Sequence, residues 1–150
     1  MACTKTLVST TVTPAPQAGT EGAAVAMLGT GTAGASSGRD AITAFLTAAK
    51  AQNLRGMSAV WGTNQGPAVT HLKADEVEKR LIIMQCMVTH DQWAFAEERA
   101  RLVMGGRQEY LVRLRLRETT VQTTFTAIEG PGGRWYVETI DLAPLRDLCR

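Results

Sequence analysis

The chain contains no run of about 18 consecutive apolar residues, the minimum for a membrane-spanning helix, so none is expected. Histidine occurs only at His71 and His90, and cysteine only at Cys3, Cys86 and Cys149. Their spacing matches no CxxC pair and no Cys/His set that holds zinc, so neither a metal nor a cofactor is expected. The net charge of +2 is too small to suggest a nucleic-acid partner, which calls for a concentrated basic face. The glycines of residues 29–38 lack both a preceding strand and a Gly-Lys-Ser/Thr ending, which excludes a phosphate loop.

Large apolar residues are scarce in residues 1–38, and charge there is limited to Lys5 and Glu21. Thr, Ala, Gly, Ser and Pro dominate, a composition with little apolar surface to offset the entropy of ordering. The expectation is a flexible tether over residues 1–38 and one domain over residues 39–150. Gly22–Ala35 is broken by four glycines and two threonines and follows a long, nearly uncharged stretch, which is wrong for a signal peptide. Met1-Ala2-Cys3 followed by a polar linker resembles the mature end of a bacterial lipoprotein, which makes Cys3 a candidate for lipidation. The alternative is an ordinary cysteine near the terminus; an unmodified Cys3 would imply a cytoplasmic protein.

What the remainder does contain is periodicity. Ser37 can cap a helix with Asp40 in its first turn, and Ile42, Phe45, Leu46 and Ala49 then recur at helical spacing. Gly56 is expected to end or bend that helix. Met57, Val60 and Trp61 form a short turn, and Thr63–Pro67 reads as a loop. A second helix over Ala74–Val88 carries the stripe Val77, Leu81, Met84 and Val88. Ile82, Ile83 and Met87 widen it, so the helix is expected to be covered on more than one side.

From Trp93 the period changes to two. Trp93–Met104 reads as one or two strand segments, with Ala96, Glu98, Ala100, Leu102 and Met104 on the more apolar parity. Tyr110–Glu118 is the clearest strand: Tyr110, Val112, Leu114 and Leu116 on a dry face, Arg113, Arg115 and Arg117 on a wet one. A reversal at Glu118-Thr119-Thr120, a strand with Val121, Thr123, Phe125 and Ala127, and a final strand over Trp135–Ile140 follow. A short helical turn is expected in Leu142–Cys149. Helices followed by about four antiparallel strands predict an α+β fold, with two helices on one face of the sheet.

This layout, with its closing Gly-Gly-Arg-Trp-Tyr-Val-Glu-Thr-Ile-Asp segment, resembles the nuclear transport factor 2-like superfamily over about residues 39–142. The resemblance implies a cone, helices packed into a curved sheet, found in isomerases, cyclases, dehydratases and non-catalytic envelope lipoproteins. The fold by itself selects no activity.

No catalytic motif can be carried over. Weak candidates are His90 with Asp91 at the helix-to-sheet junction, Glu98 on its strand, and Tyr110 on the inward parity. Each has a commoner structural explanation: helix termination, an ion pair, or core packing. Trp61, Trp93, Tyr110, Val112, Leu114 and Phe125 are the expected lining of any pocket. Arg113, Arg115 and Arg117 form a candidate partner surface or simply a solvated face. Cys86 and Cys149 are candidates for a disulfide if the protein is exported.

The reading is a non-catalytic binding domain at a bacterial envelope or periplasm, recognising a protein partner or an apolar small molecule. Membrane association would come only through a lipid anchor. The rivals are an isomerase-, cyclase- or dehydratase-type enzyme and a structural subunit, such as a homodimer docked through the outer sheet face.

Overall fold

The computed structural model describes residues 33–149. The fold is α+β, with helices preceding a curved, five-stranded antiparallel sheet. Cys3 and most of the segment read as a tether lie outside the described residues.

Helix α1 spans Gly38–Lys50. Ser37 caps it: its Oγ accepts a hydrogen bond from the Asp40 amide at 3.0 Å. Ala41, Ile42, Phe45 and Leu46 form its fully buried stripe. The chain leaves α1 through Gln52, whose φ of 57° is in the left-handed region. Asn53 then starts α2, Leu54–Ala59, by accepting from the Gly56 amide at 3.0 Å. Gly56 therefore lies inside α2 and does not end α1. A Cβ on it would stand 2.9 Å from the Ala48 Cβ, so glycine is what lets α2 approach α1 this closely.

The expected loop at Thr63–Pro67 is a minimal hairpin, β1 (Gly62–Thr63) against β2 (Gly66–Pro67). Helix α3 spans Ala74–Met87 and buries Val77, Leu81 and Met84, with Val88 buried at its cap. Ile82 and Ile83, however, are 48% and 55% exposed, so α3 is not covered on more than one side among the described residues.

Strands β3 (Gln92–Phe95) and β4 (Arg101–Val103) both pair with β5 (Arg107–Leu116), at opposite ends of it. β5 pairs with β6 (Thr119–Glu129), and β6 with β7 (Trp135–Ile140). The break at residues 96–100 resets the alternation, so Leu102 and Met104, on the expected inward parity, are 77% and 86% exposed. On β5 the alternation holds: Tyr110, Val112 and Leu114 are buried, Arg113 and Arg115 exposed, and Leu116 half-buried. The β5–β6 reversal uses Arg117-Glu118, because Thr119 already pairs with Leu116.

The core lies between α1, α3 and the inner sheet face. Phe45 of α1 meets Phe125 of β6 edge to face, ring centroids 6.3 Å apart. A 3₁₀ turn over Ala143–Leu148 closes the chain and buries Leu145 and Leu148.

Ala33, Gly34 and Ala35 already pack into the domain, ahead of the boundary drawn at residue 38. Ala35 and Trp135 exchange backbone hydrogen bonds at 2.9 and 2.8 Å. Arg134 donates to the carbonyls of Ala33 and Gly34 at 3.1 and 2.7 Å. Small side chains suit this place: at Gly34, with φ of 82°, a Cβ would stand 2.9 Å from the Tyr136 ring. Backbone bonding, which composition does not reveal, draws these residues into the fold.

Candidate functional site

The polar candidates do not assemble into one site. His90 is buried, and its Nδ1–H donates to the Val88 carbonyl at 2.7 Å. Its Nε2 is buried without a hydrogen-bond partner among the described residues. Burial pushes its pKa below 6.5, aided by the Lys50 charge and opposed by the Val88 bond and the Asp91 charge, so the ring is neutral near pH 7. No hydrogen bond joins His90 to the Asp91 carboxylate. Asp91 instead accepts from the Arg117 amide at 2.7 Å, while its own amide donates to the Arg115 carbonyl at 2.7 Å. Lys50 Nζ donates to the Asp91 carbonyl at 2.6 Å. Asp91 thus ties the entry of β3 to the β5–β6 turn.

Tyr110 lies five residues before Arg115 on β5, about 17 Å along an extended strand. Its hydroxyl donates to Gln108 Oε1 at 2.7 Å, and burial raises its pKa. Phe95 packs on it, ring centroids 5.5 Å apart, and the Arg39 guanidinium sits 4.0 Å over the Phe95 ring. Glu98 is exposed in the break between β3 and β4, and its backbone carbonyl accepts from Arg39. Arg39 therefore connects Glu98 with the Tyr110 neighbourhood, while His90 and Asp91 stay at the other end of β5.

The expected pocket lining divides in the same way. Val112, Leu114 and Phe125 have no exposed surface and are interior packing. Trp93 is half-buried beside His90 and Asp91 in a cleft at the mouth of the sheet. Arg113 and Arg115 are exposed on the outer sheet face, and Arg117 lies in the turn with its carbonyl accepting from Arg115 Nε at 3.1 Å.

Trp61 alone of that set lines a distinctly apolar groove of about 330 Å³ between α3 and β7. One wall is Ile83 and Met84 on α3; the other is Ile140 and Leu142 at and beyond the end of β7. Arg80 and Glu138 supply its charged margin. Arg80 is paired with Glu76 at 2.6 Å, and Glu138 accepts two hydrogen bonds from Arg107 at 2.6 and 3.0 Å. Trp61 is placed by the neighbouring Val60 carbonyl, which accepts from the Val137 amide at 2.7 Å. Sequence reasoning missed Ile83, Met84, Ile140 and Leu142 as groove residues. The signal was the Ile82-Ile83 pair, apolar surface in excess of a single helical stripe.

Cys86 and Cys149 form a disulfide, Cα atoms 5.0 Å apart, joining α3 to the end of the C-terminal 3₁₀ turn. Among the described residues no three His, Cys, Asp or Glu side chains converge as metal ligands, and no helix is long and apolar enough to cross a membrane.

Fold and groove together define an α+β domain with an apolar surface groove and dispersed polar groups. Comparisons with protein-family models, with curated proteins and with solved structures each return no match.

Proposed function

We propose that this chain is a non-catalytic binding module of the nuclear transport factor 2-like type, taking an apolar small molecule, or an apolar element of a protein partner, in the groove between α3 and β7. The observation that carries the reading is the groove: about 330 Å³ walled by Ile83, Met84, Ile140 and Leu142 over Trp61, a size suited to a small apolar ligand. The use of the buried polar side chains supports it. Ser58, His90 and Thr123 each bond a backbone carbonyl, those of Arg55, Val88 and Asp141. An isomerase or cyclase needs polar groups converging on one cavity. Glu98 meets the Tyr110 neighbourhood only through its backbone carbonyl on Arg39, and His90 with Asp91 lies at the other end of β5, so that reading has less support.

The Cys86–Cys149 disulfide accords with export to an oxidising compartment, here a bacterial envelope or periplasm. An acylated Cys3 would supply the anchor there. The binding reading is tested by titrating the neutral fluorophore N-phenylnaphthylamine into the protein. Wild type should bind it, with an affinity of roughly micromolar order. Ile83→Glu should abolish binding without lowering the melting temperature, because the side chain is already half-exposed. Identical titration curves for the two proteins would defeat the reading.

A further inference from the structure

Two arginines on the outer face of the sheet have no counter-charge beside them. Arg113 and Arg115 are exposed and two residues apart on β5, so their side chains leave the same face about 7 Å apart. Strand register sets their neighbours. Arg113 stands between Ala94 of β3 and Gln122 of β6, and Arg115 between Gln92 and Thr120. All four neighbours are neutral. Among the described residues, neither guanidinium is paired with a carboxylate.

The other end of β5 is matched in charge. There Arg107 donates to both carboxylate oxygens of Glu138, at 2.6 and 3.0 Å, and Arg101 pairs with Glu109 at 3.2 Å. At the Arg115 end, the Asp91 carboxylate accepts from the Arg117 amide. Arg115 Nε donates to the Arg117 carbonyl at 3.1 Å, which orients the guanidinium. A shallow cavity of about 190 Å³ opens at this place, lined by both arginines with Gln92, Trp93, Ala94 and Thr120. The small Ala94 side chain leaves room beside Arg113. The cavity shares no lining residue with the apolar groove, so it stands independently of what the groove binds.

We propose that this cavity binds the phosphate group of a small, soluble phosphate monoester between Arg113 and Arg115. Guanidinium matches phosphate in charge and in the geometry of its paired N–H donors. A tetrahedral phosphate has enough oxygens to engage a guanidinium on each side. A carboxylate has two oxygens, which one guanidinium occupies, and the second arginine then stays unmatched. The Thr120 hydroxyl and the Gln92 carboxamide line the same cavity and add neutral donors. The volume suits one phosphate group with a small substituent. The site is open to water, so its affinity is modest and falls as salt rises.

Phenyl phosphate titrated at low ionic strength into the isotope-labelled full chain tests this, with backbone amide and arginine Nε–H resonances as the readout. Shifts should centre on Gln92, Ala94, Arg113, Arg115 and Thr120. The dissociation constant should rise roughly fivefold in Arg113→Gln and in Arg115→Gln. Arg55→Gln removes the same charge from α2, which packs on α1, and should leave the constant unchanged. Benzoate should bind several-fold more weakly than phenyl phosphate.

Equal weakening in all three variants overturns the site, because a general charge effect then accounts for the binding. Benzoate binding as tightly as phenyl phosphate overturns the assignment to phosphate. Binding to vesicles containing phosphatidic acid, with no response to phenyl phosphate, overturns the soluble ligand and assigns the arginines to a lipid surface. Should the Arg113 and Arg115 variants fail to fold, the wild-type shifts decide alone: no shifts, or shifts centred away from Arg113 and Arg115, overturn the proposal.

Discussion

The Asp91 carboxylate accepts a hydrogen bond from the backbone amide of Arg117 at 2.7 Å, clasping the tip of the β5–β6 hairpin to the start of β3. Arg117 has φ of 55°, a left-handed conformation that costs a non-glycine residue roughly 1 kcal/mol or more. The clasp helps to hold it there. Asp91→Ala should destabilise the domain by about 1–2 kcal/mol, and Asp91→Asn by less, because the amide oxygen still accepts. Arg117→Gly should be neutral or stabilising by up to about 1 kcal/mol. Urea denaturation of the three variants checks the order.

Phe45 and Phe125 hold α1 on the sheet. Both have no exposed surface, and their rings meet at 75°. Truncating either to alanine should cost about 3–5 kcal/mol. A double-mutant cycle should leave a coupling of about 0.5–1.5 kcal/mol for the edge-to-face contact. Additive losses would mean that the rings act only through their buried area.

Helix propensity alone predicts that Gly56→Ala stabilises α2 by about 1 kcal/mol. The Cβ would stand 2.9 Å from that of Ala48, and an alanine methyl cannot swing aside. The strain of overpacking, about 1–3 kcal/mol, should exceed the gain. Thermal melting should therefore show Gly56→Ala at or below wild type.

His90 gives stability a pH dependence of known sign. Its folded pKa lies below 6.5, so between those two values the unfolded chain binds more protons than the native one. The stability contributed by the neutral ring is complete above 6.5 and is lost as pH falls through that value toward the folded pKa. Lys50 and Asp91 are the charges that bear on it, with opposite effects. Denaturation across this range, compared with His90→Gln, should give a shallower pH slope in the variant.

Much of the fold was legible because it rests on half-buried elements. The alternation of Tyr110, Val112 and Leu114 with Arg113 and Arg115 is the direct imprint of one covered sheet face. The α3 stripe of Val77, Leu81 and Met84 is the same imprint at helical period. Elements held by backbone bonds or close approach left no such trace. Ala33–Ala35 resembled a linker because their hold comes from amides and carbonyls paired with Ala59, Arg134 and Trp135. Gly56 resembled a helix end because a close contact and a stop signal use the same residue. The groove was legible only in part: Trp61 stood out by size, but the exposure of Ile83 depends on which side of α3 finds a partner.

A binding role for the groove depends most directly on where an apolar ligand sits. Titrating N-phenylnaphthylamine into isotope-labelled protein and following amide, methyl and indole resonances locates it residue by residue. The predicted result is a cluster of shifts at Trp61, Ile83, Met84, Ile140 and Leu142, with the Tyr110 and His90 signals unmoved. Shifts centred on His90 and Trp93, or on Tyr110 and Phe95, would contradict it.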